Sequence, residues 1–478
     1  MESLKEKTAK GLFWGALSSG TMQVLNLVFG IVLARLLLPE DYGIIGLITV
    51  FTAIAGSLQD SGFGVALVNL KRPSQNDFSS VFWFNVGVSV ACYAVLFFCA
   101  PLIAAFFHEP RLTAVSRFVF TAFLFSSMSI VPGAILTREL RVKEKSVVSI
   151  VALLVSGAVG IVMAYNGFAY WSLATQQVVF NATTLAGRFF CTRWMPTKPQ
   201  NFEPVRRMFG FSYKLLITNV LTIVNANVLT LIFGRLFPAK ALGNYTQANK
   251  WNTTAYSFVA STVAQVAQPV LVELQDEADR ERRVFRKMLR FTAFLGFPIM
   301  FGLAIVAPEF IKLAITARWG AAIPLLQVLC IGGAFLSFYT LYQNLAVSHG
   351  RSDLYMWLNI AQIVLQIGVI LLFASAGIER MVLAYTVFTI LWLLAWHFIV
   401  GRLIHLSFFD VLKDVLPFLC IAVFCVGVAY WAASPFENLW LRLGVKVVVA
   451  AALYMAVMKL TGAKIFDECV KFLLRRKA

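Results

Sequence analysis

The stretch of residues 10–43 reads KGLFWGALSSGTMQVLNLVFGIVLARLLLPEDYG. Residues 11–34 carry no charge, and a helix of that length can cross a hydrocarbon core of about 30 Å. Arg35 ends the uncharged run. Pro39 and Gly43 then follow, and these residue types stop a helix and allow the backbone to reverse. The stretch therefore predicts a transmembrane helix, a tight turn and the start of a second span.

The same plan recurs about two hundred residues later, in segment 211–245. That segment reads FSYKLLITNVLTIVNANVLTLIFGRLFPAKALGNY, again with polar residues along a helix, then an arginine, a proline and a glycine. The copies align with an offset of 199 or 200 residues, and the one-residue slip is placed in the turn. The repeat predicts a duplicated transmembrane unit, as transporters often contain. The paired positions are Ser19 and Thr218, Gln23 and Thr222, Asn26 and Asn225, Arg35 and Arg235, Pro39 and Pro238, and Gly43 and Gly243.

Composition assigns the chain to the polytopic all-α membrane proteins. Of 478 residues, 59% are hydrophobic and only 13% are charged, and the mean hydropathy is +0.78. Soluble domains carry about 25% charged residues. The seven cysteines form no CxxC pair, so they are read as small membrane hydrophobes. The basic first residues precede an apolar run too long for a signal-peptide core.

Hydropathy and helix breaks predict fourteen spans around the repeat. We expect an N-terminal lobe at 1–193 with spans 1–6 and a C-terminal lobe at 194–403 with spans 7–12. Two extra spans and a basic tail fill 404–478. The predicted spans are 12–38, 43–67, 78–106, 112–137, 146–165, 168–190, 209–234, 248–272, 291–314, 321–347, 354–376, 380–402, 412–433 and 439–459.

The basic residues predict the orientation. With the N-terminus in the cytoplasm, 30 of the 41 Lys and Arg residues fall on the cytoplasmic side and 11 on the other. This bias follows the positive-inside rule and predicts that both termini are cytoplasmic. It also explains the net charge of +18 by topology and anionic lipid headgroups, so no nucleic-acid partner is predicted.

The sequence predicts a protein that is not an enzyme. It has no P-loop, no HExxH and no CxxC, and its four histidines are dispersed. We therefore predict no catalytic residue, no metal site and no cofactor. A membrane-embedded sugar polymerase is disfavoured because every predicted connection on the outer side is short.

Polar residues inside the spans are the main candidates for function. They are costly in lipid and usually face a cavity or another helix. Ser19, Gln23 and Asn26 share one helical face, and the seventh span has an equivalent stripe. Helix–helix hydrogen bonding would explain either stripe, but their repetition favours a shared polar pathway. The candidate cavity residues are Gln23, Asn26, Arg35, Arg117, Lys214, Thr218, Thr222, Asn225, Arg235 and Lys250.

The charged candidates differ in whether another explanation competes with a role in binding cargo or a coupling ion. Arg35 and Arg235 lie near the outer ends of their spans, where reaching for headgroups is the favoured explanation. Arg117 lies deeper, and cations without matching acids suit an anionic cargo such as a sugar diphosphate. Asp60 is the candidate for ion coupling, although Asp60-Ser61-Gly62 also fits a helix break at the inner side.

Six segments of the sequence match a known family pattern. They are LARLLLPEDYGIIGL (33–47), PGAILTRELRVKEKS (132–146), GFAYWSLATQQVV (167–179), GRLFPAKALGNYTQANK (234–250), VAQPVLVELQDEADR (266–280) and FPIMFGLAIVAPEFIKLAITARWGAAIPLLQVL (297–329). Together they resemble the Wzx-type polysaccharide flippases of the multidrug/oligosaccharidyl-lipid/polysaccharide exporter superfamily. The similarity extends over about residues 5–400 and is nearest to the branch of the colanic acid and teichuronic acid exporters.

The resemblance implies two six-helix lobes, a central cavity and alternating access in a bacterial inner membrane. It also implies a cargo of undecaprenyl-diphosphate-linked oligosaccharide that moves to the outer leaflet for surface polysaccharide such as capsule, exopolysaccharide or O-antigen. Membrane lipids and polymerase or chain-length proteins are the implied partners. In related lipid-linked precursor flippases two extra C-terminal helices form a groove for the lipid tail, and spans 13 and 14 could do the same here. The main alternative is a drug or cation antiporter of the same superfamily, which would need an acid in the first or seventh span, and neither 11–38 nor 209–234 has one.

Overall fold

The computed structural model describes residues 4–60, 63–71, 73–275, 277–463 and 465–468. Side chains are not described for 4–13, 16, 58–60, 207–219, 221, 222 and 266. The described chain forms helices joined by short connections, with no β-strand in those ranges. The all-α membrane fold predicted from composition is confirmed.

Sixteen α-helices lie in the described ranges. They are α1 Leu4–Leu36, α2 Pro39–Asp60, α3 Phe63–Asn69, α4 Gln75–Phe107, α5 Leu112–Val119, α6 Thr121–Arg138, α7 Val142–Tyr165, α8 Tyr170–Thr192, α9 Glu203–Leu236, α10 Ala239–Leu274, α11 Ala278–Ala314, α12 Ala322–Ser348, α13 Ser352–Leu372, α14 Ile378–Val400, α15 Phe408–Ala433 and α16 Leu439–Leu460.

Each predicted span falls on these helices, although the count of fourteen is not confirmed. The predicted spans 43–67 and 112–137 each cover two helices, α2 with α3 and α5 with α6. Within the described residues, eleven helical segments are long and apolar enough to cross a membrane. The helices α2, α8 and α9 are not among them, and α9 contributes only the shorter apolar segment Ile223–Leu236. Polar residues such as Gln176, Gln177 and Asn181 lower the hydropathy of α8.

The chain divides into two compact units, Met1–Gly243 and Asn244–Ala478. Unit 1 contains α1 to α9 and the first residues of α10. Unit 2 contains the rest of α10 and α11 to α16. The lobe limits predicted at 193 and 403 remain a prediction.

The two repeated turns lie against each other in unit 1. A Cβ atom on Gly43 would overlap the backbone carbonyl of Ala239, and one on Gly243 would overlap the backbone carbonyl of Pro39. The backbones can therefore approach this closely only because both positions are glycine. The helix ends before the turns and the helix starts after them both match at an offset of 200 residues, so the one-residue slip in the repeat does not lie in the turn. The two prolines are therefore not equivalent, because Pro39 is the first residue of α2 whereas Pro238 precedes α10.

The connection between α8 and α9 is bound to the first turns of α4 in unit 1. The Oγ atoms of Ser79 and Thr197 are 2.9 Å apart, and the Ser80 hydroxyl donates to the Asn201 carbonyl at 2.7 Å. The Trp83 indole N–H donates to the Thr197 carbonyl at 3.0 Å. This connection is thus held by α4 side chains, and unit 1 continues through it.

In unit 2, α11 packs against α12, α15 and α16. Its first turns are rich in charged residues, and several of these contact neighbouring helices. The Glu281 carboxylate is buried and lies 3.0 Å from Nε2 of His349. The Arg286 guanidinium is 2.6 Å from Asp414 and 3.1 Å from Asp410, both on α15. The Arg286 ion pairs and the Glu281–His349 contact connect α11 to its neighbours.

Candidate functional site: a polar pocket and an apolar groove

The described stripe residues are exposed or half-buried. Gln23 and Asn26 on α1 are exposed, and Asn225 on α9 is half-buried. Among the described side chains, none of these three has a hydrogen-bond partner. Neighbouring Asn227 instead donates to the Ile223 carbonyl of its own helix at 2.9 Å. The apolar neighbours Val24, Leu27 and Val28 are exposed as well, so the shared polar pathway stays a prediction.

Four sequence candidates lie outside the described side chains. Asp60 is the last residue of α2, and Lys214, Thr218 and Thr222 lie in the first two-thirds of α9. The roles of these four residues stay predictions from sequence.

The two repeated arginines occupy the last turns of their helices, and both are exposed. Arg235 donates to the Phe106 carbonyl at 2.7 Å, and its guanidinium carbon is 5.2 Å from the Phe106 ring centroid. Its Nη1 also lies 2.6 Å from Nδ1 of His108. Arg235 thus connects the end of α9 to the end of α4. This contact is structural and was not foreseen from the sequence, which favoured headgroups for both arginines.

Arg117 lies on the short helix α5 and is half-buried. Its Nε donates to the Phe97 carbonyl at 3.2 Å, and the guanidinium carbon is 4.2 Å from the Phe97 ring centroid. In the described part of the chain no carboxylate lies within ion-pair distance of it. The carbonyl and the ring hold the side chain in place while leaving its charge uncompensated.

Lys250, the last sequence candidate, is exposed on α10, with its ammonium 6.0 Å from the Trp251 ring centroid. It belongs to unit 2, whereas Arg117 and Arg235 belong to unit 1.

Acidic residues surround the first repeated turn. Asp41 is buried, and its carboxylate accepts a hydrogen bond from the Leu38 N–H at 2.9 Å. Burial raises the pKa of the Asp41 carboxyl above its ordinary value, although the Leu38 and Tyr170 backbone N–H groups oppose this shift. Glu40 lies 2.6 Å from Nη2 of Arg111, which joins the turn to the α4–α5 connection.

A polar pocket of about 220 Å³ lies in unit 1 between α2, α6 and α8. Its polar side chains are hydroxyls and amides, and Phe123 and three small residues complete the lining. Sequence reasoning missed this pocket because its walls come from three separate helices. The only signal was Gln177 and Asn181, which lie four residues apart on one helical face. The polar lining residues are Thr49, Thr52, Ser126, Gln177 and Asn181.

An apolar groove of about 530 Å³ lies in unit 2 between α11, α15 and α16, with Ala255 of α10 also in its wall. Most of its lining is aliphatic. Representative residues are Leu303, Val306, Ala422, Val426, Val447, Ala451 and Met455. A long hydrocarbon chain is the chemistry that such a surface accommodates.

One charged residue, Lys446, also lines the groove, but its charge is compensated. The ammonium is 2.8 Å from both carboxylate oxygens of Glu309 and donates to the Ile305 carbonyl at 2.8 Å. Lys446 is only 1% exposed and Glu309 2%. Arg442 adds a second cation, 3.2 Å from Glu309. Sequence analysis did not predict this buried pair.

A protein-family model described as polysaccharide biosynthesis protein matches residues 32–324, more than half of the chain. The chain belongs to this family. Its resemblance to the polysaccharide exporters is thereby confirmed, and it is a multi-pass membrane protein.

The chain is also similar to individual proteins, two by sequence and one by fold. The chain is 25% identical to the lipopolysaccharide biosynthesis protein WzxC of Escherichia coli (strain K12) over 364 residues, 75% of this chain and 73% of WzxC. It is 22% identical to the teichuronic acid biosynthesis protein TuaB of Bacillus subtilis (strain 168), covering 100% of this chain and 99% of TuaB. Its fold is similar to that of the lipid II flippase MurJ in an inward closed conformation, with a TM-score of 0.70 at 16% identity over 94% of this chain and 99% of that one.

Proposed function

We propose that this member of the polysaccharide biosynthesis family translocates a polyprenyl-diphosphate-linked oligosaccharide across a bacterial inner membrane. The cargo moves from the cytoplasmic to the outer leaflet and supplies surface polysaccharide. Such a cargo has a long hydrocarbon tail, an anionic diphosphate and a neutral glycan, and each part needs different protein chemistry.

The apolar groove of unit 2 is the observation that carries the proposal. A transporter of small soluble solutes does not need an apolar groove of about 530 Å³. A polyprenyl tail can fill it, because burying apolar surface contributes about 25 cal/mol per Å². Lys446, the one charged residue of the groove lining, is paired with Glu309, so the lining offers no unpaired charge to a phosphate.

The diphosphate would instead meet cations elsewhere. Arg117 is half-buried, and within the described residues no acid pairs with it. Such a guanidinium suits an anionic group, which it can bind in a bidentate manner. Arg35, Arg235 and Lys250 are exposed and provide further positive charge.

We also propose that both termini are cytoplasmic, which the distribution of 30 and 11 basic residues supports. Reporter fusions after residues 75, 142, 200 and 283 should all report the cytoplasm. A periplasmic signal at 200 would contradict this orientation.

Translocation by the purified full chain in vesicles tests the proposed function. Wild-type protein should expose lipid-linked oligosaccharide to an enzyme or lectin outside the vesicles. Ala451→Phe, which places a ring in the groove, should slow this transfer at least tenfold. Ala452→Phe is the matched control, since Ala452 is exposed and does not line the groove.

Three results would contradict the proposal. Dye efflux without glycan transfer would indicate a drug antiporter, and polymer formation would indicate a polymerase subunit. Equal transfer by Ala451→Phe and wild type would remove the groove as the site of the lipid tail.

A further inference from the structure

The polar pocket of unit 1 lies deep in the helices that form it. Ten residues separate Pro39, the first residue of α2, from Thr49. At about 1.5 Å per residue this is about 15 Å, half of a hydrocarbon core of about 30 Å. Transporters commonly bind their cargo at this depth.

Its side chains offer neutral hydrogen-bonding groups of both kinds. Thr49 donates to the Ile45 carbonyl at 2.8 Å, and Thr52 donates to the Thr49 carbonyl at 2.8 Å, so each hydroxyl oxygen remains an acceptor. Asn181 donates to the Gln177 carbonyl at 2.9 Å, which leaves its amide oxygen as an acceptor. The Gln177 side-chain amide has no partner among the described residues, so it supplies both donors and acceptors.

The lining offers no charge to an ion. It contains no charged side chain, and no cluster of His, Cys, Asp or Glu in the described residues could hold a metal ion. Hydroxyls and amides would lose their hydrogen bonds to water if a lipid chain covered them. A neutral polyhydroxyl compound satisfies these groups.

From this chemistry we infer that the pocket formed by α2, α6 and α8 binds one sugar residue of the cargo glycan through its hydroxyl groups. This subsite rests on the proposed function. A volume of about 220 Å³ is below the 300–1,000 Å³ typical of drug-sized ligands, which suits one sugar ring better than a longer glycan.

Protection of a cysteine tests the occupant. In a full-length, Cys-less protein, Ser126→Cys should react with a small methanethiosulfonate reagent. Two probes are compared: undecaprenyl-diphosphate-linked oligosaccharide isolated from polysaccharide-producing cells, and sugar-free undecaprenyl diphosphate. The glycan-linked lipid should slow the reaction at least fivefold, and the sugar-free lipid should not change it. Equal protection by both lipids, protection by neither, or a cysteine unreactive under all conditions would each overturn the subsite.

Asn181→Leu gives an independent readout with a matched control. It should raise the half-saturating concentration of glycan-linked lipid in translocation by about tenfold, as expected for a lost neutral hydrogen bond. Asn359→Leu in α13 removes a similar bond, from Asn359 to the Tyr355 carbonyl at 2.7 Å, without touching the pocket. It should leave this concentration unchanged.

An equal shift for the two Asn variants would assign the effect to helix stability and overturn the subsite. If wild-type protein translocates no lipid-linked glycan, the proposed function itself fails. Normal wild-type translocation with unprotected Cys at position 126 rejects the subsite alone.

Discussion

The polar pocket of unit 1 and the apolar groove of unit 2 differ in whether their polar side chains are open to a ligand or paired within the protein. The pocket leaves neutral amides and hydroxyls open to a ligand. The groove is larger and contains one cation, which Glu309 neutralises inside the protein. Hydrogen-bonding capacity is thus exposed where a glycan would bind and is satisfied internally where hydrocarbon would bind. An amphiphilic cargo needs both arrangements in one chain.

The largest expected effect on stability comes from removing the carboxylate that pairs with Lys446 in the groove. Glu309→Gln leaves the Lys446 ammonium buried without a carboxylate, and unpairing a buried charge costs about 3–5 kcal/mol. Thermal unfolding in detergent should show a clear loss of stability. Adding Lys446→Met should restore most of it, because the replacement side chain is apolar and of similar length.

The double variant is the control for this prediction. If Glu309→Gln alone unfolds at the wild-type temperature, the pair does not hold the groove together. If the double variant is no more stable than Glu309→Gln, the loss arises from Arg442 or from packing.

A smaller loss of stability is expected from a substitution at Gly43, near the start of α2, which is one of the helices that line the polar pocket. Gly43→Ala forces a Cβ into the backbone carbonyl of Ala239. Overpacking of this kind costs about 1–3 kcal/mol, and here the obstacle is backbone. Thermal unfolding of Gly43→Ala and Gly20→Ala should separate them, because nothing lies within 4 Å of a Cβ on Gly20. Equal unfolding temperatures would mean that the two turns are not in contact in the membrane protein.

Sequence alone predicted the helical elements well, because every predicted span falls on helix. Apolar runs of about twenty residues and their Pro and Gly breaks are local signals. The pocket was not predictable in this way, because Thr49, Ser126 and Gln177 come from three helices that only tertiary packing brings together. The Glu309–Lys446 pair joins residues 137 positions apart. Two opposite charges within apolar spans were the one available hint.

Arg117 in unit 1 contrasts with Lys446 in unit 2, because the Phe97 carbonyl and ring contact it instead of a carboxylate. Arg117→Ala should therefore destabilise the fold only by about 1 kcal/mol. It should reduce glycan translocation at least tenfold, while Arg117→Lys retains part of the activity. Arg380→Ala, an exposed arginine of α14, is the control and should transport normally. Normal transport by Arg117→Ala would remove this residue from the cargo site.

The smallest effect is a difference in chemical labelling along the polar stripes, measured without loss of fold. Gln23 and Asn26 are exposed, whereas Leu25 between them is half-buried. If water reaches this face, Gln23→Cys and Asn26→Cys should react with a membrane-impermeant thiol reagent several times faster than Leu25→Cys. If this face contacts lipid instead of water, the cysteines should not react, because thiolate formation and the reagent both require water.

The equivalent pair in α9 extends the labelling to the second repeat. Asn225→Cys should react faster than Val224→Cys, although both positions are half-buried, because only the amide belongs to the repeated stripe. Reaction at Gln23 and Asn26 but not at Asn225 would confine the aqueous path to the first repeat. Negligible reaction at all five positions would assign both stripes to lipid or helix contacts, and the diphosphate would then need a path past Arg117 that avoids α1 and α9.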